Sequence, residues 1–152
     1  MIGNNIKFTM RPVAIPFGYR LSYKIALLCL CLKISCDPRR SCSLIKLQLI
    51  ITTLLSQHNL VDLIKICKDK SYILTPIRFD PSINKAITFA LKDGIVKKLA
   101  NGNYKLTQLG KIFVDRILDN NILSKETEEL KRLGIISDEM LNFIVNTWRY
   151  ND

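Results

Sequence analysis

The stretch RLSYKIALLCLCLKIS, residues 20–35, constrains the fold most. Leu21, Ile25, Leu28 and Leu32 recur at helical spacing while Leu27, Leu30 and Ile34 fill the other sides, so the pattern predicts a helix that is apolar nearly all round. Such a helix belongs at the centre of a core, with other elements packed about it. Its most apolar part, IALLCLCL (25–32), is closed by Lys33 and falls well short of the ~20 residues needed to span a bilayer. As a signal peptide it begins too far from the N-terminus and lacks an A-x-A site, and KISC carries Lys33 where a lipoprotein box needs an aliphatic residue. A cytoplasmic chain with no membrane segment is expected.

On either side the pattern changes. Residues 1–19 contain Pro12, Pro16 and Gly18 among scattered apolar side chains, which favours an extended arm. Pro38 ends the central helix. A second helix is expected from about Ser43 to Leu55, with Leu44, Leu47, Ile51, Leu54 and Leu55 inward and Lys46 and Thr53 outward. A third, 60–69, would be capped by Asn59. Pro76 reduces YILTPIRF (72–79) to a linker with at most an edge strand.

Asp80-Pro81 is the clearest helix start: an acid at the N-cap, then proline in the first turn, where its missing N–H is no loss. That helix runs to Lys92 or Asp93 and stops at Gly94, with Ile83, Ala86, Ile87, Ala90 and Leu91 inward and Asn84, Lys85, Thr88 and Lys92 outward. In KDGIVKKLANGNYKLTQLGK (92–111), Asn101-Gly102 between two strand-like runs signals a hairpin. A two-residue loop there would pair Leu99 with Tyr104, Lys98 with Lys105 and Lys97 with Leu106. Thr107 would cap a helix of Leu109, Ile112, Phe113 and Ile117, ended by Asn120-Asn121. Two shorter helices follow, one entered at Ser124 and stopped at Gly134, the other opened by Ser137-Asp138-Glu139 and carrying Leu141, Ile144, Val145 and Trp148 on one side.

Catalysis needs convergent polar groups, and few are legible. The single histidine, His58, has no acid or nucleophile at a telling distance, Asp37, Asp62, Asp69 and Asp80 are isolated, and the glutamates at 126–129 read as a solvated first helical turn. The glycines of 92–111 lack the spacing of a phosphate-binding loop. No catalytic residue is assigned and a non-enzyme is expected. The five cysteines, at 29, 31, 36, 42 and 67, form neither a CxxC pair nor a regular disulfide framework; they read as reduced, buried thiols, with no metal site.

Charge points elsewhere. The net charge is +10, and it comes from the first three quarters of the chain: residues 117–152 are acidic, and no glutamate precedes Glu126. A basic body suits a polyanion or an acidic partner face. Lys85, Thr88, Lys92, Lys97, Lys98, Asn101 and Lys105 are the candidate contacts to DNA or to an acidic partner. Lys98 opposite Lys105 would set like charges across a hairpin, a repulsion that an anion relieves. The competing reading is that lysines on a hairpin edge keep it solvated against edge pairing. No arginine lies on the presumed reading face, which argues against base-specific recognition. Phe8, Arg11, Ile15 and Phe17 of the arm, with Trp148 and Tyr150 of the tail, are candidates for a protein interface.

Three stretches, RPVAIPFGYRLSYKIALLCLCL (11–32), SLIKLQLIITTLL (43–55) and FDPSINKAITFALKDGIVKKLANGNYKLTQLGK (79–111), resemble the middle components of bacterial ABC-three-component defence systems of the Lamassu type. The shared features are an early Arg-Pro, a DP-x-x-N-x-A-x-x-x-A helix ending in an acidic-Gly-aliphatic-Val step, and an L-T-x-x-G entry to the next helix; the tail, 122–148, is similar to that family's terminal helix pair. The resemblance implies a mainly α chain with a small β-hairpin, a winged helix-turn-helix over 20–120, preceded by the extended arm 1–19 and followed by a helix pair, 121–152, packed on or beside it. It implies a non-catalytic accessory subunit of a hetero-oligomer that acts against phage and plasmids. Such a subunit would bind an SMC-like ABC ATPase and help hold or release an effector nuclease on sensing foreign DNA, with possible sequence-independent contact to double-stranded DNA through the wing. It implies no cofactor on this chain, ATP and magnesium belonging to the ATPase. The alternative is a free-standing winged-helix transcriptional regulator.

Overall fold

Packing begins with the apolar segment. In a computed structural model, which describes residues 20–36, 41–71 and 76–150 with only the backbone at 149 and 150, that segment forms α1 (Leu21–Ile34). Leu27, Leu28, Cys29, Leu30 and Cys31 are without exposed surface, and α1 touches α2 (Leu44–Leu54), α4 (Pro81–Lys92), α5 (Gln108–Asp119) and α6 (Ser124–Leu133). The all-round apolarity is thus used on every side. Residues 1–19 lie outside the described residues, and with them Phe8, Arg11, Ile15 and Phe17; so does the side chain of Tyr150.

The remaining elements are α3 (Gln57–Lys68), a two-stranded antiparallel sheet of β1 (Val96–Lys98) and β2 (Tyr104–Leu106), and α7 (Asp138–Tyr150). The chain is therefore mainly helical with one small hairpin. No helix among the described residues is long and apolar enough to cross a membrane. The helix pair α6 and α7 contributes Leu130, Leu133, Leu141 and Ile144 to the same hydrophobic core as α1, and Trp148 packs half-buried against it.

Local chemistry explains most helix starts. Ser43 Oγ accepts from the Lys46 N–H, Asp80 from the Ser82 N–H with Pro81 following, and Thr107 from the Gly110 N–H. Ser56, not Asn59, caps α3: its Oγ accepts from the Asn59 N–H, so the helix begins a turn earlier than expected. Ser124 is the first helical residue of α6 rather than the residue before it; the N-cap is Leu123, left-handed at φ 57°.

Three inward and outward assignments on α2 are reversed. Lys46 and Thr53, expected outward on α2, are buried: Lys46 ion-pairs with Asp138 at 2.7 Å, and the Thr53 hydroxyl donates to the Ile50 carbonyl at 2.7 Å. Leu55, expected inward, is exposed. On α5, Leu109 and Ile112 face out, and the buried line is Gly110, Val114 and Ile117. Gly110 explains this rotation: a Cβ there would stand 2.1 Å from the Ile95 carbonyl oxygen, so only glycine lets α5 approach so closely.

Candidate nucleic-acid interface

α4 carries two of the five candidate lysines, Lys85 and Lys92, and a buried polar cluster holds its N-terminus. The Lys24 ammonium of α1, only 2% exposed, donates to the Asp80 carboxylate at 2.8 Å and to the Ser82 hydroxyl. Gln48 of α2 clasps the backbone of Asp80 from the other side, its amide donating to the Asp80 carbonyl and its oxygen accepting from the Asp80 N–H, both at 3.0 Å. The charge of Lys24 and the amide of Gln48 are compensated inside the core, as buried polar groups must be. Asp80 is thus not the isolated carboxylate that its place in the sequence suggests. Burial alone would raise its pKa, but the hydrogen bonds from Lys24 and Ser82 outweigh this and hold it below the ordinary aspartate range.

With its start fixed on two neighbouring helices, α4 presents Asn84, Lys85, Thr88 and Lys92 to solvent, as expected. Neither uncharged member of that face is idle. The Asn84 Oδ1 accepts from the Gln48 amide at 3.0 Å, and the Thr88 hydroxyl donates to the Asn84 carbonyl at 3.0 Å.

The hairpin differs from expectation by one step of register. Val96 pairs with Leu106, Lys97 with Lys105, and Lys98 with Tyr104. The Leu99 N–H donates to the Asn103 carbonyl, leaving a three-residue loop, 100–102, in which Gly102 at φ 87° supplies the positive dihedral. A two-residue type I′ loop needs positive φ at both central residues, and Asn101 does not provide it; its side chain instead accepts from the Asn103 N–H. The like-charge pair is therefore Lys97 and Lys105, on the outward side, opposite the buried face of Val96, Tyr104 and Leu106. Lys98 lies on the Tyr104 side, its ammonium 5.8 Å from the ring centre.

Lys85, Lys92, Lys97 and Lys98 are exposed and Lys105 half-buried, and none makes an ion pair among the described residues. The two buried lysines, Lys24 and Lys46, are both paired. The hairpin is mounted firmly: Cys42 and Tyr104 exchange two backbone hydrogen bonds of 2.8 Å, and the Thr107 N–H reaches the Ile95 carbonyl at 3.0 Å.

Elsewhere, His58 lies 3.4 Å from Asp62, one turn on, so an acid is near it after all; this is a pair on the surface of α3. Of the glutamates of α6, Glu128 is solvated as expected, but Glu126 accepts from the Tyr23 hydroxyl at 2.5 Å, and Glu129, buried, from the Gln57 amide at 2.8 Å. Burial and the Glu126 hydrogen bond push the Tyr23 phenol up. A cleft of about 350 Å³ between the end of α1 and the start of α6 includes Lys33, Thr127 and Lys131, with Ile34, Leu118 and Ile122 as its apolar wall.

The chain matches no protein-family model, no curated protein and no solved structure.

Proposed function

We propose that this chain is a non-catalytic, winged-helix subunit of a defence complex, that it binds an SMC-like ABC ATPase and helps hold or release an effector nuclease, and that its hairpin touches double-stranded DNA without choosing a sequence. The observation that carries the DNA contact is the set of lysines without ion-pair partners on α4 and the hairpin, Lys97 facing Lys105 above all. A phosphate between those ammonium groups removes their repulsion and releases its own counterions. The engagement of Asn84 and Thr88 within the fold favours contact to the backbone over base reading. Cys42 paired with β2, and β2 with β1, gives the hairpin the third-strand support that a winged helix uses.

The subunit part of the reading rests on the family resemblance, and exposed Leu109 and Ile112, one turn apart on α5, support it as an apolar step suited to a protein partner. Two measurements test the proposal together. Co-expression with its genomic neighbours should give stable co-elution with a large coiled-coil ATPase. Titration of the isolated chain against unrelated duplexes should give equal affinities that fall with salt. A sequence-specific footprint by the isolated chain would instead favour the free-standing regulator.

A further inference from the structure

We propose that the cleft between the end of α1 and the start of α6 binds a small organic monocarboxylate, its apolar body against Ile34, Leu118 and Ile122 and its carboxylate at Thr127. No residue of α4 or of the hairpin lines this cleft, so the site is separate from the lysines assigned to phosphate. Its volume of about 350 Å³ falls at the small end of the range that small-molecule sites occupy, about 300–1,000 Å³.

Thr127 carries the inference. It lines the cleft and is only 6% exposed, yet its hydroxyl, shut off from bulk water, has no hydrogen-bond partner among the described residues. A buried hydroxyl without a partner costs stability, and a ligand oxygen on it offsets that cost. A helical threonine has two χ1 rotamers open to it, so a carboxylate entering the cleft can draw the hydroxyl onto itself.

The backbone beside Thr127 supports a binding role. Leu123 caps α6 in a left-handed conformation, φ 57°, and supplies no side-chain acceptor; Asn121, φ 53°, is left-handed too. Two such residues within three positions store strain, and one of them is bulky. The first N–H groups of α6 are left without a side-chain cap, and Ser124, at the head of that turn, is part of the lining. Uncapped helical N–H groups favour a negative charge.

The charges of the lining select the ligand. Lys33 and Lys131 contribute two ammonium groups and Glu128 one carboxylate, a net single positive charge. Each lysine is held loosely, Lys33 by Asp115 at 3.6 Å and Lys131 by Glu128 at 3.8 Å, and all four side chains are well exposed. Such pairs contribute little and yield readily to another anion. Glu128 repels the second charge of a phosphate dianion, so a single carboxylate is the fitting group. Ile122, 52% exposed, gains most from an apolar body laid along the wall.

The test titrates octanoate, below its micelle-forming concentration, into the full chain labelled with nitrogen-15. Saturable shifts should appear at the amides of Ser124, Thr127 and Lys131, and octan-1-ol at the same concentration should leave them in place. Thr127→Val keeps the shape of the side chain. It should weaken octanoate binding roughly tenfold, the effect of losing a hydrogen bond to a charged group, while raising the melting temperature of the free chain. Lys33→Gln, a change on an exposed side chain, should also weaken binding, and it carries the test if Thr127→Val does not fold. The absence of saturable shifts, shifts centred on Leu109 and Ile112, or equal shifts with octan-1-ol would overturn the proposal. So would inorganic phosphate binding as tightly as octanoate, or wild-type affinity in both variants.

Discussion

The Lys24 ammonium lies 2.8 Å from the carboxylate of Asp80, 56 positions further along the chain, and together with the Gln48 clasp this contact fixes the start of α4 to the middle of the core. Replacing Asp80 with alanine leaves a buried positive charge without its partner and removes the helix cap. Asp80 itself is partly exposed, so the expected loss is about 3 kcal/mol, toward the lower end for an orphaned buried charge, with about 1 kcal/mol of it from the cap. Urea unfolding at constant m-value measures it. Lys24→Met, which removes the buried charge and keeps the volume, should cost less than Asp80→Ala; the opposite order would show that the pair is not the source of the effect.

The same pair sets an acid response. The folded-state pKa of Asp80 is lowered, so its contribution is fully present above the unfolded value of about 3.9 and is lost as pH falls through the lower folded value. Stability measured between about pH 5 and pH 2 should decline, and Asp80→Asn should flatten part of that decline. An unchanged profile in Asp80→Asn would place the acid sensitivity elsewhere.

Lys97→Glu should separate stability from binding. Opposite Lys105 it turns a like-charge pair into an opposite one, raising stability by about 0.2–1 kcal/mol. If the hairpin meets phosphate, the same change weakens duplex binding equally for all sequences and makes the log–log salt dependence shallower by about 0.9 for each phosphate that is no longer neutralised. Fluorescence anisotropy over a salt series reads both. Binding that is unaffected while stability rises would mean that the pair serves only to keep the hairpin edge solvated.

Gly110→Ala should be among the most damaging single-methyl additions to the chain. The new Cβ would press on the Ile95 carbonyl, which cannot withdraw without giving up its bonds from the Thr107 N–H and hydroxyl. A loss at the upper end of about 1–3 kcal/mol is expected by thermal or urea unfolding.

What could be read in advance was what neighbours in the chain decide. Asp80-Pro81 and Thr107 act on N–H groups two or three residues away, and both caps are found where the local chemistry puts them; the helix expected from about Ser43 also starts there, with Ser43 as its cap. The central helix was legible because its apolarity leaves it no exposed side. The hairpin was legible as a hairpin but not in register, since Asn-Gly fits more than one loop and only Gly102 takes the positive φ. The buried polar groups were out of reach. Lys24 finds Asp80, Gln48 finds the same residue 32 positions away, and Lys46 finds Asp138 at 92, and no periodicity encodes such partners. Polar residues interrupting otherwise apolar helical runs were the one available sign. The outward turn of Leu109 and Ile112 was hidden for the same reason, since it depends on how closely Gly110 lets α5 approach.

The double hydrogen bond between Cys42 and Tyr104 gives the hairpin a mechanical role. Cys42 stands one residue before Ser43, the cap of α2, and α2 carries the Gln48 that grips the start of α4. A load applied at the hairpin tip is therefore passed through β2 into the entry of α2 and on to the base of α4. Whatever seizes the lysines of one element pulls on the footing of the other.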